Sequence, residues 1–287
     1  MKSSNPVFSR SESFNRSGAN AYSSPTHTGG YGSDPSTWGT GTPGDTGYAA
    51  PQAPAAPMTI DSVVQKTAIT LGVVVLAAFV TWILTPDLTD NTQAGGALYA
   101  ALMFGSLGAF ALSMVLSFKK VISPALVIAF AVLEGVAMGA FSKFIEQTFV
   151  PEGAGSIVIQ AVVGTFAAFA GTLAAYKFFN IQVGQKFRTF VVAAMFGMVA
   201  LGLLEIVLGM FGSAVGFLGF GGFGLLFAVA GLVLGVFMLI LDFDFVEQGV
   251  ANRIPEQESW RAAFALTVSL VWIYTNLLRI LAILQSD

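Results

Sequence analysis

Residues 123–142 read SPALVIAFAVLEGVAMGAFS, with Glu134 as the sole charged side chain in the run. Wound into a helix at ~1.5 Å per residue, a run of this length crosses the ~30 Å hydrocarbon layer of a membrane. Moving outward from it, runs of the same kind recur in both directions. Seven spans are expected, over approximately 62–84, 96–118, 123–145, 155–178, 189–212, 221–246 and 262–284. Their separators (TPDLTDNTQAGG, FKKVISP, TFVPEGAG, NIQVGQKFR, GSAVGFLGFGG and EQGVANRIPEQESWR) are short, so consecutive spans pack as antiparallel neighbours. The fold class expected over 58–287 is an all-α membrane protein, a seven-transmembrane-helix bundle.

Composition agrees and removes whole classes of function. Of 287 residues, 55% are hydrophobic and 10% charged, where a soluble domain carries roughly 25% charge. There is no cysteine and a single histidine, His27, which excludes a disulfide framework, a thiolate nucleophile, Cys-ligated zinc and a His-based metal cluster or triad. With no nucleophile–base pair visible, no enzyme is expected, and no cofactor. A net charge of -3 and a pI near 5.1 leave no basic footprint for nucleic acid.

Residues 1–57 are different in kind. Ser, Gly, Pro and Thr dominate, and Lys2, Arg10 and Arg16 are balanced by Glu12, Asp34 and Asp45. Too few aliphatic groups are present to offset the entropy of ordering, so a disordered N-terminal tail is expected, either a solvated linker or a regulatory docking arm. The first 30 residues lack the apolar core of a signal peptide.

Orientation follows from the basic residues. With the N-terminus cytoplasmic, the inner segments hold Lys119, Lys120, Lys177, Lys186, Arg188, Arg253 and Arg261, and the outer loops hold none. Lys143 and Arg279 fall near outer helix ends, where long side chains snorkel to the interface. Small residues recur four apart, at Gly135 and Gly139, Gly231 and Gly235, and Gly105 and Ala109, and predict close helix packing. The run GFLGFGGFG at 216–224 has no lysine of a phosphate loop and reads as an extracytoplasmic turn.

Ionisable groups inside spans are where function is sought, because a charge in hydrocarbon costs several kcal/mol. Glu134 and Glu205 lie deep in spans 3 and 5. Asp242, Asp244 and Glu247 cluster at the cytoplasmic end of span 6. Residues two apart on a helix project ~200° from one another, so Asp242 and Asp244 cannot share a proton. Asp244 and Glu247 do share a face, and Arg261 at the same depth is the expected partner if the cluster is structural. In span 7, Ser269, Trp272, Asn276 and Arg279 form a polar stripe that must face protein or water, as interhelical hydrogen bonds or as a pore lining.

Several stretches together resemble the bacterial branch of the Bax inhibitor (transmembrane BAX-inhibitor-motif) family. They are SPALVIAFAVLEGVAMGAFS, the KT of SVVQKTAITLG, IQAVVGTFAAFAGTLAAYK, LDFDFVEQGV and TNLLRIL, with an opening SSNPVFSR. The resemblance implies a seven-helix protein of the cytoplasmic membrane acting as a pH-sensitive calcium leak channel. It further implies that an aspartate on helix 6 pairs with one on helix 7. Asp242 best matches the first, with Asp244 as the alternative. The second is missing: between Arg261 and Arg279 there is no carboxylate, only Thr267, Ser269 and Asn276 as polar substitutes. Expected site residues are therefore Asp242, Asp244 and Glu134, with Arg261, Glu247, Asn276 and Arg279 as partners. Calcium or protons would meet Asp242, joined by Glu134 or a hydroxyl of helix 7. Some relatives are described instead as binding and modulating membrane proteases, which implies a non-conducting alternative.

Overall fold

A computed structural model describes residues 56–88, 94–151, 155–179 and 181–286. Seven helices in it are long and apolar enough to cross a membrane: α1 (Ile60–Leu84), α2 (Ala94–Phe118), α3 (Pro124–Phe149), α4 (Ile157–Phe178), α5 (Gln185–Met210), α6 (Gly222–Ala251) and α7 (Ser259–Ser286). Starts follow local chemistry. Thr59 and Ser62 exchange side-chain and backbone hydrogen bonds in a capping box at α1, and Pro124 opens α3 after Ser123. Two boundary differences bear on the site: α6 runs five residues past the predicted 246, and α7 starts three residues early. Both extensions stay helical because their polar side chains find partners, given below.

The expected tail, 1–57, lies outside the described residues up to position 55. Its last part is corrected: Ala56 and Pro57 belong to the fold. Met58 N–H donates to the Ile254 carbonyl (2.7 Å) and Glu256 N–H to the Ala56 carbonyl (2.7 Å), and Met58 itself is buried beside Phe243, Leu266 and Leu270.

Helix α7 forms the centre, packed against α1, α3, α4 and α6; α2 attaches through α3, and α5 packs chiefly on α6. Close approach depends on the small residues. A Cβ on Gly135 would stand 2.6 Å from Ala77 Cβ, one on Gly139 would collide with the Ala78 carbonyl, and one on Gly105 would meet Ala137 N at 2.6 Å. Three helix backbones thus touch where a side chain would force them apart. Large apolar side chains such as Phe79, Phe104, Phe166 and Phe196 point outward, as a surface against lipid tails requires.

Each end is stitched by buried charge. At the basic end, Arg261, with no exposed surface, donates from Nε to Glu258 (2.8 Å) and from Nη2 to the carbonyls of Lys119 (3.3 Å) and Lys120 (3.0 Å), just beyond the C-terminus of α2. At the opposite end Lys143 turns inward instead of snorkelling. It donates to the Trp82 carbonyl (3.0 Å) and the Thr85 carbonyl and pairs with Asp87 (2.9 Å), adding a donor at the end of α1 where carbonyls run out of intrahelical partners. Hydrogen bonds from Lys143 and then Gln147 hold the Asp87 carboxyl below the usual carboxylate range.

Candidate functional site

The seam between α6 and α7 carries the buried chemistry. Asp242 is 4% exposed, and one hydrogen bond holds it: the Ser269 hydroxyl donates to Oδ2 at 2.5 Å. Leu239, Phe243, Leu266, Leu270 and Ile273 form the apolar cluster around this stretch of the seam. Among the described residues no cation sits against Asp242. A hydroxyl cannot neutralise a carboxylate, so the burial of Asp242 is offset by one hydrogen bond and not by a salt bridge.

Asp244 looks elsewhere, as the ~200° separation demands. Its Oδ2 accepts from Arg188 of α5 and from Gln248 Nε2 (2.8 Å). Glu247, one turn on, accepts from the Tyr176 hydroxyl of α4 at 2.5 Å. These groups line a polar cleft of about 570 Å³ at the basic end, together with Gln182 and Gln185. The expected partnership of Asp244 and Glu247 with Arg261 is thereby corrected. Arg188 is the cation at Asp244, while Arg261 is spent on Glu258 and two carbonyls. In the sequence Arg188 bears only on orientation, and nothing singles out Tyr176. A signal for Arg188 existed: consecutive helices run antiparallel, so the first turn of α5 must lie at the depth of the last turns of α6.

Glu134 is half-buried and makes no hydrogen bond or ion pair with another described residue. It lies on the α3 face of Phe130, whose ring meets Phe264 of α7 at 4.9 Å. The Ser62–Ser259 hydroxyl contact (2.7 Å) levels the starts of α1 and α7, and Gly135 lies beside Val74 of α1. Counting along the helices, Glu134 and Asp242 fall within about one turn of the same depth. They do not meet. Phe264 and Val268 face the α3 side, while Leu266, Leu270 and Ile273 face α6, so α7 stands between the two carboxylates. A joint Asp242–Glu134 cation site is corrected accordingly; Ser269 is the group that Asp242 faces. Calcium takes six to eight oxygens, so one carboxylate and one hydroxyl do not by themselves make a resident calcium site.

The rest of the α7 stripe also turns toward α6. Trp272 Nε1 donates to the Gly231 carbonyl (2.8 Å), and Asn276 occupies the space a Cβ on Gly231 would need. Arg279, predicted to snorkel, is 8% exposed and donates to carbonyls of the α5–α6 loop.

The sequence profile described as Bax inhibitor 1 like matches residues 5–286, nearly the whole chain. The chain belongs to this family. No curated protein matches it. Seven apolar helices in a Bax inhibitor 1 like protein make it a multi-pass membrane protein. In this Bax inhibitor 1 like chain, the position resembling the helix 6 aspartate is buried against a serine, where the resemblance implied a second carboxylate.

Proposed function

We propose that this protein is a passive, pH-sensitive cation leak of the cytoplasmic membrane, conducting calcium, with Asp242 as the group that the ion and the proton compete for. The observation that carries the reading is the Asp242–Ser269 contact. A buried carboxylate with no cation against it among the described residues lies in the half of the α6–α7 seam nearer the basic end, positioned by a hydroxyl from the opposite helix. Ionised, it attracts a cation; protonated, it offers no charge and can itself donate a hydrogen bond. The basic end faces the cytoplasm in this reading, since Lys and Arg gather there, which places the N-terminus inside. The chain performs no catalysis, and its surroundings are the lipid bilayer and the ions that cross it.

A second reading, a non-conducting protein that binds and modulates stress or protease complexes in the membrane, draws on the polar cleft around Arg188, Asp244 and Glu247. The cleft opens at the basic end and can receive a partner's polar groups. Purified protein in calcium-dye-loaded liposomes separates the two. Calcium entry above that of protein-free liposomes supports the leak; entry equal to the protein-free control assigns the chain to the second reading.

A further inference from the structure

Two buried charges are not used by the proposed site. Glu205 on α5 is 6% exposed and Arg279 on α7 is 8% exposed, and among the described residues neither forms an ion pair. Both are spent on the backbone of one loop, residues 211–221. The Glu205 carboxylate accepts from the N–H groups of Val215 (3.0 Å) and Gly216 (2.5 Å). The Arg279 guanidinium donates to the carbonyls of Phe217 (2.9 Å) and Gly219 (3.2 Å). A negative group on one helix therefore grips the loop's donors and a positive group on another grips its acceptors. Charge-assisted bonds of this kind are the strong ones, and more so in a water-poor setting.

The loop is shaped for this grip. Gly216 has φ +99, which only glycine adopts freely, and a Cβ on Gly224 would collide with the Gly219 carbonyl. It also reaches across the end of the bundle. Phe220 stacks on Phe149 of α3 at 4.0 Å, Phe217 lies 5.9 Å from the Phe227 ring of α6, and Leu218 lies over Gly202 of α5. Beneath it the α7 stripe descends through Arg279, Asn276, Trp272 and Ser269. Ten residues at ~1.5 Å place Ser269, and so Asp242, roughly 15 Å below the Arg279 attachment.

We propose that residues 211–221 are a latched lid over the end opposite the basic end, held shut by Glu205 from α5 and Arg279 from α7, and that releasing either charge opens the α6–α7 seam. Use of that seam by ions rests on the leak reading; the lid itself does not. The chain is free of cysteine, so Asn276→Cys reports on the seam beneath the lid without background. In nanodiscs, an impermeant thiol reagent should label it at least about tenfold faster when Glu205→Ala or Arg279→Met is added, because the covering loop then opens locally. Equal rates with the latch intact and removed would overturn the lid. The unsubstituted protein supplies a test independent of how those variants fold. Amide exchange at Val215 and Gly216 should be at least about tenfold slower than at Ala214, whose N–H has no partner among the described residues. Exchange at all three at one rate would also overturn it. Neither readout involves ion flux, so a chain that conducts nothing can still have the lid, and a chain without the lid can still conduct.

Discussion

Removing the guanidinium of Arg261 should be the most damaging single truncation at the basic end. The side chain has no exposed surface and ties the start of α7 to two segments: Glu258 before α7 and the carbonyls of Lys119 and Lys120 after α2. Arg261→Met keeps the apolar stem but leaves Glu258, itself 6% exposed, as a buried carboxylate without its cation. Stranding one member of a buried pair costs about 3–5 kcal/mol. At roughly 2–4 °C per kcal/mol for a chain of this size, the apparent melting temperature should fall by roughly 6–20 °C. Arg261→Met/Glu258→Gln should recover part of that loss, because the stranded charge is gone and only the carbonyl contacts remain broken. The assay is thermal unfolding of detergent-solubilised protein followed by fluorescence-detected size exclusion, with all three variants at one detergent concentration. A single variant within about 2 °C of wild type, or a double variant worse than the single, would refute the reasoning that charge burial at this junction holds α2 to α7.

Gly139→Ala pushes a methyl into the Ala78 carbonyl of α1, so it should destabilise by about 1–3 kcal/mol, whereas Gly171→Ala, which meets nothing within 4 Å, should be neutral or mildly stabilising; the same thermal assay compares them. The depressed Asp87 carboxyl contributes order to the α1–α2 connection that is present above its ordinary value of 3.8 and lost as pH falls through the lowered one. Amide protection at Leu88, whose N–H donates to Gln147, should therefore fall below about pH 4 in wild type, and Asp87→Asn should show the low-pH protection at every pH. On orientation, Ser213→Cys should react with an impermeant thiol reagent in intact cells and Asn252→Cys only after permeabilisation; the reverse pattern contradicts the assignment from Lys and Arg.

Most of the fold was legible because the bilayer leaves few choices. A run such as 123–142 that must satisfy its own backbone in hydrocarbon can only be helical, and close-packed glycines such as Gly135 and Gly139 announce which faces touch. Partner choice among charges was less legible. Arg188 and Arg261 lie at one depth, and selecting between them requires the rotation of α5 and α7 about their axes, which hydrophobicity alone does not specify when a helix is apolar on nearly every side. The same ambiguity hid the roles of Lys143 and Arg279. Hydropathy shows a long cation near a helix end, and the alternatives of reaching for the interface or capping a neighbour's carbonyls differ only in tertiary placement. Ser269 was one of three polar candidates on α7, and the register of α6 against α7 decides among them.

The pH profile of calcium flux tests the central role of Asp242 most directly. Wild type, Asp242→Asn and Asp244→Asn are reconstituted at equal density and followed from about pH 5 to about pH 8, the interval over which a proton-sensitive leak would respond. Asp242→Asn holds nearly the same shape in an uncharged state and still receives the Ser269 hydroxyl, so its profile should be flat. Asp244→Asn disturbs only the Arg188 and Gln248 contacts and should keep most of the wild-type slope. Identical pH-dependent flux in wild type and Asp242→Asn would contradict the assignment of Asp242 as the group that the ion and the proton share.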